Sequence, residues 1–277
     1  LSSSSAASDV YKRQRVSRWN PADGQVAVDP GQYQRLSPFN ARNRAAIGRL
    51  YEDLARHASF AGLLYHDDAL LSDFEDAGPD ALAAYERAGL PQDIPAIRAD
   101  PALMQRWTRF KSQALVQFTQ ELTDKVRRIR GPEIKTARNI FAAPILDPKA
   151  EQWFAQNPDD FLNAYDWTAP MAMPYMESVP RQDANRWLDQ LVDHMAQRPG
   201  ALQKTIFELQ TRDWRQPGAH ASSTAQLIDS QVIATWMRRL QLRGVQHYGY
   251  YPDDFTQDHP VLKDIRPHMS ITWYPYP

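Results

Sequence analysis

Phe60-Ala61-Gly62-Leu63-Leu64-Tyr65-His66-Asp67-Asp68 is an uncharged, mostly apolar run that stops at a histidine and two adjacent carboxylates, with Asp73, Glu75 and Asp76 soon after. Short runs of this kind, without alternation, read as strands buried on both faces, as in parallel sheets covered by helices on each side. Acids at 67, 68, 73, 75 and 76 at the end of such a strand repel one another, a cost that folding alone does not require. The stretch therefore indicates an α/β fold and marks the first place to look for chemistry.

Upstream, Ser37-Pro38 leads into a helical pattern with Ile47, Leu50, Tyr51 and Leu54 at three- and four-residue spacing. Downstream, Asp100 as N-cap and Pro101 in the first turn announce a long helix. Leu103, Trp107, Phe110, Ala114, Phe118, Leu122, Val126 and Ile129 hold one of its faces until Gly131-Pro132 stops it. Further strands are expected over 136–143, from 165 into a loop ending at Glu177, over 204–209 and over 244–250, separated by helices near 149–162, 185–197 and 225–242. Strand starts near 61, 137, 167, 204 and 244 make four strand-helix-strand repeats, the first lengthened by an insertion near 77–100. Repeats of this kind fit a (β/α)8 TIM-like barrel, incomplete here because about the last five strands are legible and three more are expected upstream. The alternative is an open doubly wound sheet, but no glycine-rich phosphate loop supports nucleotide binding.

Composition narrows the function. The 277 residues are 43% apolar and 23% charged, enough for a full core, and a formal net charge of -1 carries no polyanion signature, so nucleic acid is not an expected partner. The absence of cysteine excludes thiolate catalysis and disulfides. No apolar run reaches the length of a membrane-spanning helix. Residues 1–14, beginning Leu1-Ser2-Ser3-Ser4-Ser5, lack the apolar core of a signal peptide and read as a non-native or disordered leader, leaving 15–277 as a partial barrel domain whose natural start is expected to lie further upstream.

In a barrel, strand ends converge on one cleft, which would bring together Asp67, Asp68, Glu177, Glu208, Asp253 and Asp254. One carboxyl held protonated and another ionised are the equipment for glycosidic bond cleavage. A single strand-end Asp is more often a helix cap, but capping needs one acid rather than five. Trp167, Tyr175, Trp214, Tyr248, Tyr250, Tyr251 and Trp273 lie near strand ends or loops, where they suit either stacking on sugar faces or ordinary packing. His66-Asp67-Asp68 offers metal-ligand types, but no second histidine stands at ligand spacing, so no metal and no cofactor is expected. A G-x-S-x-G elbow is absent as well.

Residues 66–76 (HDDALLSDFED), 165–177 (YDWTAPMAMPYME) and 251–255 (YPDDF) resemble the C-terminal glycoside hydrolase domain of bacterial poly-β-1,6-N-acetyl-D-glucosamine N-deacetylases, a resemblance that runs from about residue 15 to the end. It implies a barrel that binds and cleaves a partly deacetylated exopolysaccharide of biofilms, within a periplasmic, outer-membrane-anchored enzyme. Its implied partners are the polysaccharide, an N-terminal deacetylase domain absent from this chain, and an outer-membrane export porin. The acidic motif from Asp67 to Asp76 matches an electronegative groove of that family, and the expected principal catalytic carboxylate is Asp67, with Glu177 and Asp68 beside it. His66, Asp73, Glu75, Asp76, Trp167, Tyr175, Glu208, Trp214, Tyr248, Tyr250, Asp253 and Asp254 would bind substrate. Glucosamine units are cationic near neutral pH, so an acidic groove would attract them. The alternative is a polysaccharide-binding module that does not cut. Whether the mechanism inverts or retains depends on carboxyl separation, roughly 6.5–9.5 Å against about 5–5.5 Å.

Overall fold

In the computed structural model of the chain, residues 15–31, 33–215 and 226–269 are described, so the expected leader and Trp273 lie outside the described residues. The structure divides into two compact units, one drawn from Leu1–Thr136 and Lys149–Asp160, the other from Ala137–Pro148 and Phe161–Pro277.

The first unit opens with a short hairpin, β1 (Arg18–Trp19) against β2 (Val26–Ala27), then α1 (Ala41–His57), capped by the Asn40 side chain accepting from Asn43 N. Strand β3 is Gly62–Tyr65. Its residues alternate between exposed and buried, and Leu64 is 57% exposed, which corrects the expectation of burial on both faces. Gly62 is required by close approach: a Cβ there would sit 2.8 Å from the Lys135 carbonyl oxygen.

The insertion after β3 is not a surface loop but the core of this unit. It carries α2 (Pro79–Arg87) and α3 (Ile94–Ala99), and buries Ala77, Ala81, Tyr85, Leu90, Ile94 and Ile97 around Trp107. The Tyr85 ring meets Phe39, Trp107 and Phe110 edge-on at 5.6, 5.8 and 5.7 Å, the arrangement aromatic quadrupoles favour. Helix α4 (Pro101–Arg130) starts and stops where expected: Asp100 accepts from Ala102 N and Leu103 N, and Gly131 ends it at φ +100°. Its buried face is rotated from the apolar stripe, however. Lys111, Ser112, Thr119 and Thr123 are buried with Trp107, Leu115, Leu122 and Val126, while Ile129 is exposed.

The main sheet has the order β3-β4-β5-β6-β9, where β4 is Lys135–Ile140, β5 Trp167–Ala172, β6 Ile206–Gln210 and β9 His247–Tyr251. Strands β7 (Arg212–Asp213) and β8 (Gln226–Leu227) form a separate small pair. The pairs β4–β5, β5–β6 and β6–β9 are parallel, with Asn139 opposite Ala169, Met171 opposite Glu208, and Glu208 opposite Gly249. The five expected strands are thus present in a mixed α/β fold. Among the described residues the sheet is five-stranded, not the eight of a complete barrel.

In the second unit, Phe207 and Leu209 are fully buried on one face of β6, and helices Ala184–Ala196 and Ser230–Leu242 contribute Leu188, Leu191, Met195, Ile233 and Met237 to the core. The helix expected over 149–162 is two helices, Glu151–Phe154 and Pro158–Ala164, broken where Ala155 takes φ +50°.

Candidate functional site

Three consecutive side chains stand where β3 ends. Asp67 is tucked in, its side chain 13% exposed, while those of His66 and Asp68 are 57% and 54% exposed. His66 Nδ1 lies against Asp67 Oδ1 and 3.5 Å from Asp68 Oδ2. Burial pushes the Asp67 carboxyl above the usual carboxylate range; His66 opposes the shift and Asp68 adds to it as a like charge. The Asp67 backbone is held too, its carbonyl accepting from Gln156 Nε2 at 3.3 Å. A carboxyl with a raised pKa beside an accessible second carboxyl can hold or pass a proton. One donor atom from each of the three residues lies within 4.8 Å of the others, so these side chains could also gather around a cation.

The next acids are arranged differently. Glu75 is buried and takes both carboxylate oxygens to Arg35 Nη2 at 2.9 Å. Asp73 pairs with Arg98, whose guanidinium also lies 3.9 Å from the Phe74 ring centroid. Asp76 is fully buried; its Oδ1 accepts from Ser17 N and Gly78 N at 3.0 and 2.8 Å, and its carbonyl accepts from Tyr85 Oη at 2.8 Å. Burial raises the Asp76 carboxyl. Lys111 Nζ adds hydrogen bonds to the carbonyls of Ser72 and Glu75 at 2.5 and 2.8 Å. In this structure these three acids hold a turn together. Asp73 and Glu75 take their cations from positions 98 and 35, and Lys111 holds the backbone of the same turn; the sequence singled out none of these three positions.

In the second unit, Glu177 follows β5 in a turn closed by Glu177 N donating to Met173 O at 3.2 Å, and burial raises its carboxyl. Glu208 lies midway along β6, accepting from Asn139 Nδ2 at 2.6 Å. Asp254 organises its own loop, accepting from Thr256 N and Gln257 N at 3.2 Å each and pairing with Arg212, whereas Asp253 is exposed.

The aromatics divide likewise. Tyr175 is buried against Trp236 at 5.5 Å, and buried Tyr248 donates to Val245 O at 2.6 Å, both packing arrangements. Trp167 meets His247 edge-on at 4.7 Å, and burial raises the half-buried Tyr250 phenol. Trp214 and exposed Tyr251 lie 6.3 Å apart with planes tilted by 30°.

Residues 7–251 match the family described as hypothetical glycosyl hydrolase family 13 (GHL13). The chain is 51% identical over 261 residues to the poly-beta-1,6-N-acetyl-D-glucosamine N-deacetylases of Escherichia coli K12 and O157:H7, covering 94% of its own length and 38% of theirs. It thus spans well under half of these relatives. The PgaB (BpsB) glycoside hydrolase domain from Bordetella bronchiseptica matches with a TM-score of 0.82 and 42% identity, over 93% of this chain and 70% of that one.

Proposed function

The chain belongs to hypothetical glycosyl hydrolase family 13 and is a PgaB-like glycoside hydrolase domain; from that premise we propose that it binds and cleaves partly deacetylated poly-β-1,6-N-acetyl-D-glucosamine. The five strands are then the later part of a (β/α)8 barrel. Asp67 acts as the principal catalytic carboxyl, and its burial beside exposed Asp68 and His66 is the observation that supports this most directly. A desolvated carboxyl stays protonated to higher pH, which suits a general acid at a glycosidic oxygen. Glu177, raised by its own burial, is the second carboxyl of the proposal. Exposed Asp68 attracts the ammonium groups of glucosamine units, and Trp214 and Tyr251 offer stacking surface to sugar rings. A covalently linked deacetylase domain, an export porin and a periplasmic, outer-membrane-anchored location complete the proposal.

The test is to incubate the full-length protein with partly deacetylated polymer and follow oligosaccharide release by mass spectrometry. Asp67→Asn should abolish release while polymer binding persists, because the amide keeps the shape and loses only the ionisable proton. Binding without release by the wild type would leave a polysaccharide-binding module instead. Release by Asp67→Asn at the wild-type rate would take Asp67 out of the chemistry.

A further inference from the structure

Lys111 lies on α4 between Trp107 and Leu115, one turn away on either side, and it is fully buried. An apolar side chain would cost nothing in desolvation there, whereas a buried ammonium costs several kcal/mol, on the order expected for any charge withdrawn from water. The residue forms no ion pair among the described residues. Its Nζ donates to the carbonyls of Ser72 and Glu75 at 2.5 and 2.8 Å and stands 3.4 Å from the Trp107 ring centroid. Both carbonyls belong to the irregular segment that runs on from Asp67 and Asp68.

That segment is no strand of the main sheet; near its end it meets β1 through a single antiparallel bridge, Arg18 with Glu75, where Trp19 N donates to the Phe74 carbonyl at 3.0 Å. It is fixed by separate anchors: Gln156 on the Asp67 carbonyl, Leu70 N on the Asp68 carbonyl at 2.9 Å, Leu71 N on the Phe154 carbonyl at 3.2 Å, and Arg35 on the Leu70 carbonyl. Glu75 N closes onto the Ser72 carbonyl at 3.1 Å, and Arg98 holds the Asp73 carbonyl at 2.5 Å. Arg35 and Arg98 hold the turn from partly exposed positions, while Lys111 holds the Ser72 and Glu75 carbonyls from inside the core, where Tyr85 holds the neighbouring Asp76 carbonyl.

We propose that Lys111 is a positioning residue for the Asp67–Asp68 pair, its ammonium clamping the 72–75 turn so that the segment after β3 keeps one conformation. The inference rests on the assignment of Asp67 to bond cleavage. The charged groups facing Lys111 are Asp73, Glu75 and Asp76 from the turn and Arg98 from α3. Burial lowers the ammonium to about 7 against the pull of those acids, so the fold carries a desolvation cost to keep a cation at this position.

The experiment uses Lys111→Met and Lys111→Gln in the full-length protein, with turnover, KM, thermal midpoint and amide exchange measured together. A folded Lys111→Met should lose at least tenfold in kcat with KM within twofold, and peptides covering 66–76 should exchange faster while those of α4 do not. Lys111→Gln, which keeps a donor on a shorter arm, should fall between Met and wild type. Wild-type kcat and unchanged exchange in either folded variant would overturn the proposal, and so would failure of both to fold, which would make Lys111 a plain core residue. If the wild type does not cleave at all, the functional assignment of Asp67 fails on its own, and the exchange measurement still decides whether Lys111 fixes the segment.

Discussion

His66–Asp68 and Asp73–Asp76 lie in one short acidic stretch, yet the structure treats them oppositely. Asp73 and Glu75 have guanidinium partners, and Asp76 has two backbone donors and lies among the acids facing the Lys111 ammonium. Among the described residues the Asp67 and Asp68 carboxylates have His66 as their one ion-pair partner, and it carries charge only when protonated. Paired acids are spent on holding a turn, whereas acids left with a weak partner keep their protons available for chemistry.

The sharpest way to break this contrast is to neutralise one acid from each half. Asp67→Asn should cost about 10²–10⁴-fold in turnover with little change in thermal midpoint, the range that removal of a general acid or base typically forfeits. Glu75→Gln should do the reverse. Leaving the partly exposed Arg35 guanidinium without its carboxylate should destabilise by about 1.5–3 kcal/mol, read by denaturant unfolding, with turnover per folded molecule falling less than for Asp67→Asn. If Glu75→Gln instead kept full stability and lost all turnover, the division of the stretch would be wrong.

The division was not legible in the sequence because it depends on partners far along the chain. Arg35, Arg98 and Lys111 are ordinary positions in the linear pattern, and only folding brings them to one turn. The fold was more legible. Asp100, Pro101 and Gly131 act through neighbouring backbone groups, so they marked both ends of α4, and the apolar runs located all five strands of the sheet. What failed was the prediction of which faces are buried. Leu64 is apolar but exposed, and the buried face of α4 includes Lys111, Ser112, Thr119 and Thr123 because their polar atoms find partners inside.

Stability against pH sharpens the comparison at smaller scale. The Asp67 carboxyl is raised in the folded state, so its contribution is fully present below the ordinary carboxylate range and is lost as pH rises through the raised value. Lys111 is lowered from 10.5 to about 7, so the fold carries its full penalty below about 7 and recovers as pH rises from there toward 10.5. Denaturant unfolding of Lys111→Met should therefore lack the rise in stability that the wild type shows between about pH 7 and 10, a rise of up to about 1.4 kcal/mol per pH unit. Equal pH dependence in the two proteins would mean that Lys111 is not buried as a strained cation.

The smallest expected effect concerns Asp68, and it separates attraction from chemistry within the functional half. Its side chain is more than half exposed, so water and salt screen it, and exposed charge pairs contribute less than about 1 kcal/mol. Asp68→Asn should accordingly weaken binding of partly deacetylated polymer by no more than about fivefold, by titration calorimetry at low ionic strength. Because the Debye length shrinks from about 10 Å at 0.1 M salt to about 3 Å at 1 M, the gap between Asp68→Asn and wild type should close as salt is added. Fully acetylated polymer has no ammonium groups and should show no gap at any salt concentration. A large, salt-independent loss of turnover in Asp68→Asn would instead move Asp68 from attracting the sugar to acting on the bond, and the catalytic pair would then be Asp67 with Asp68 rather than with Glu177.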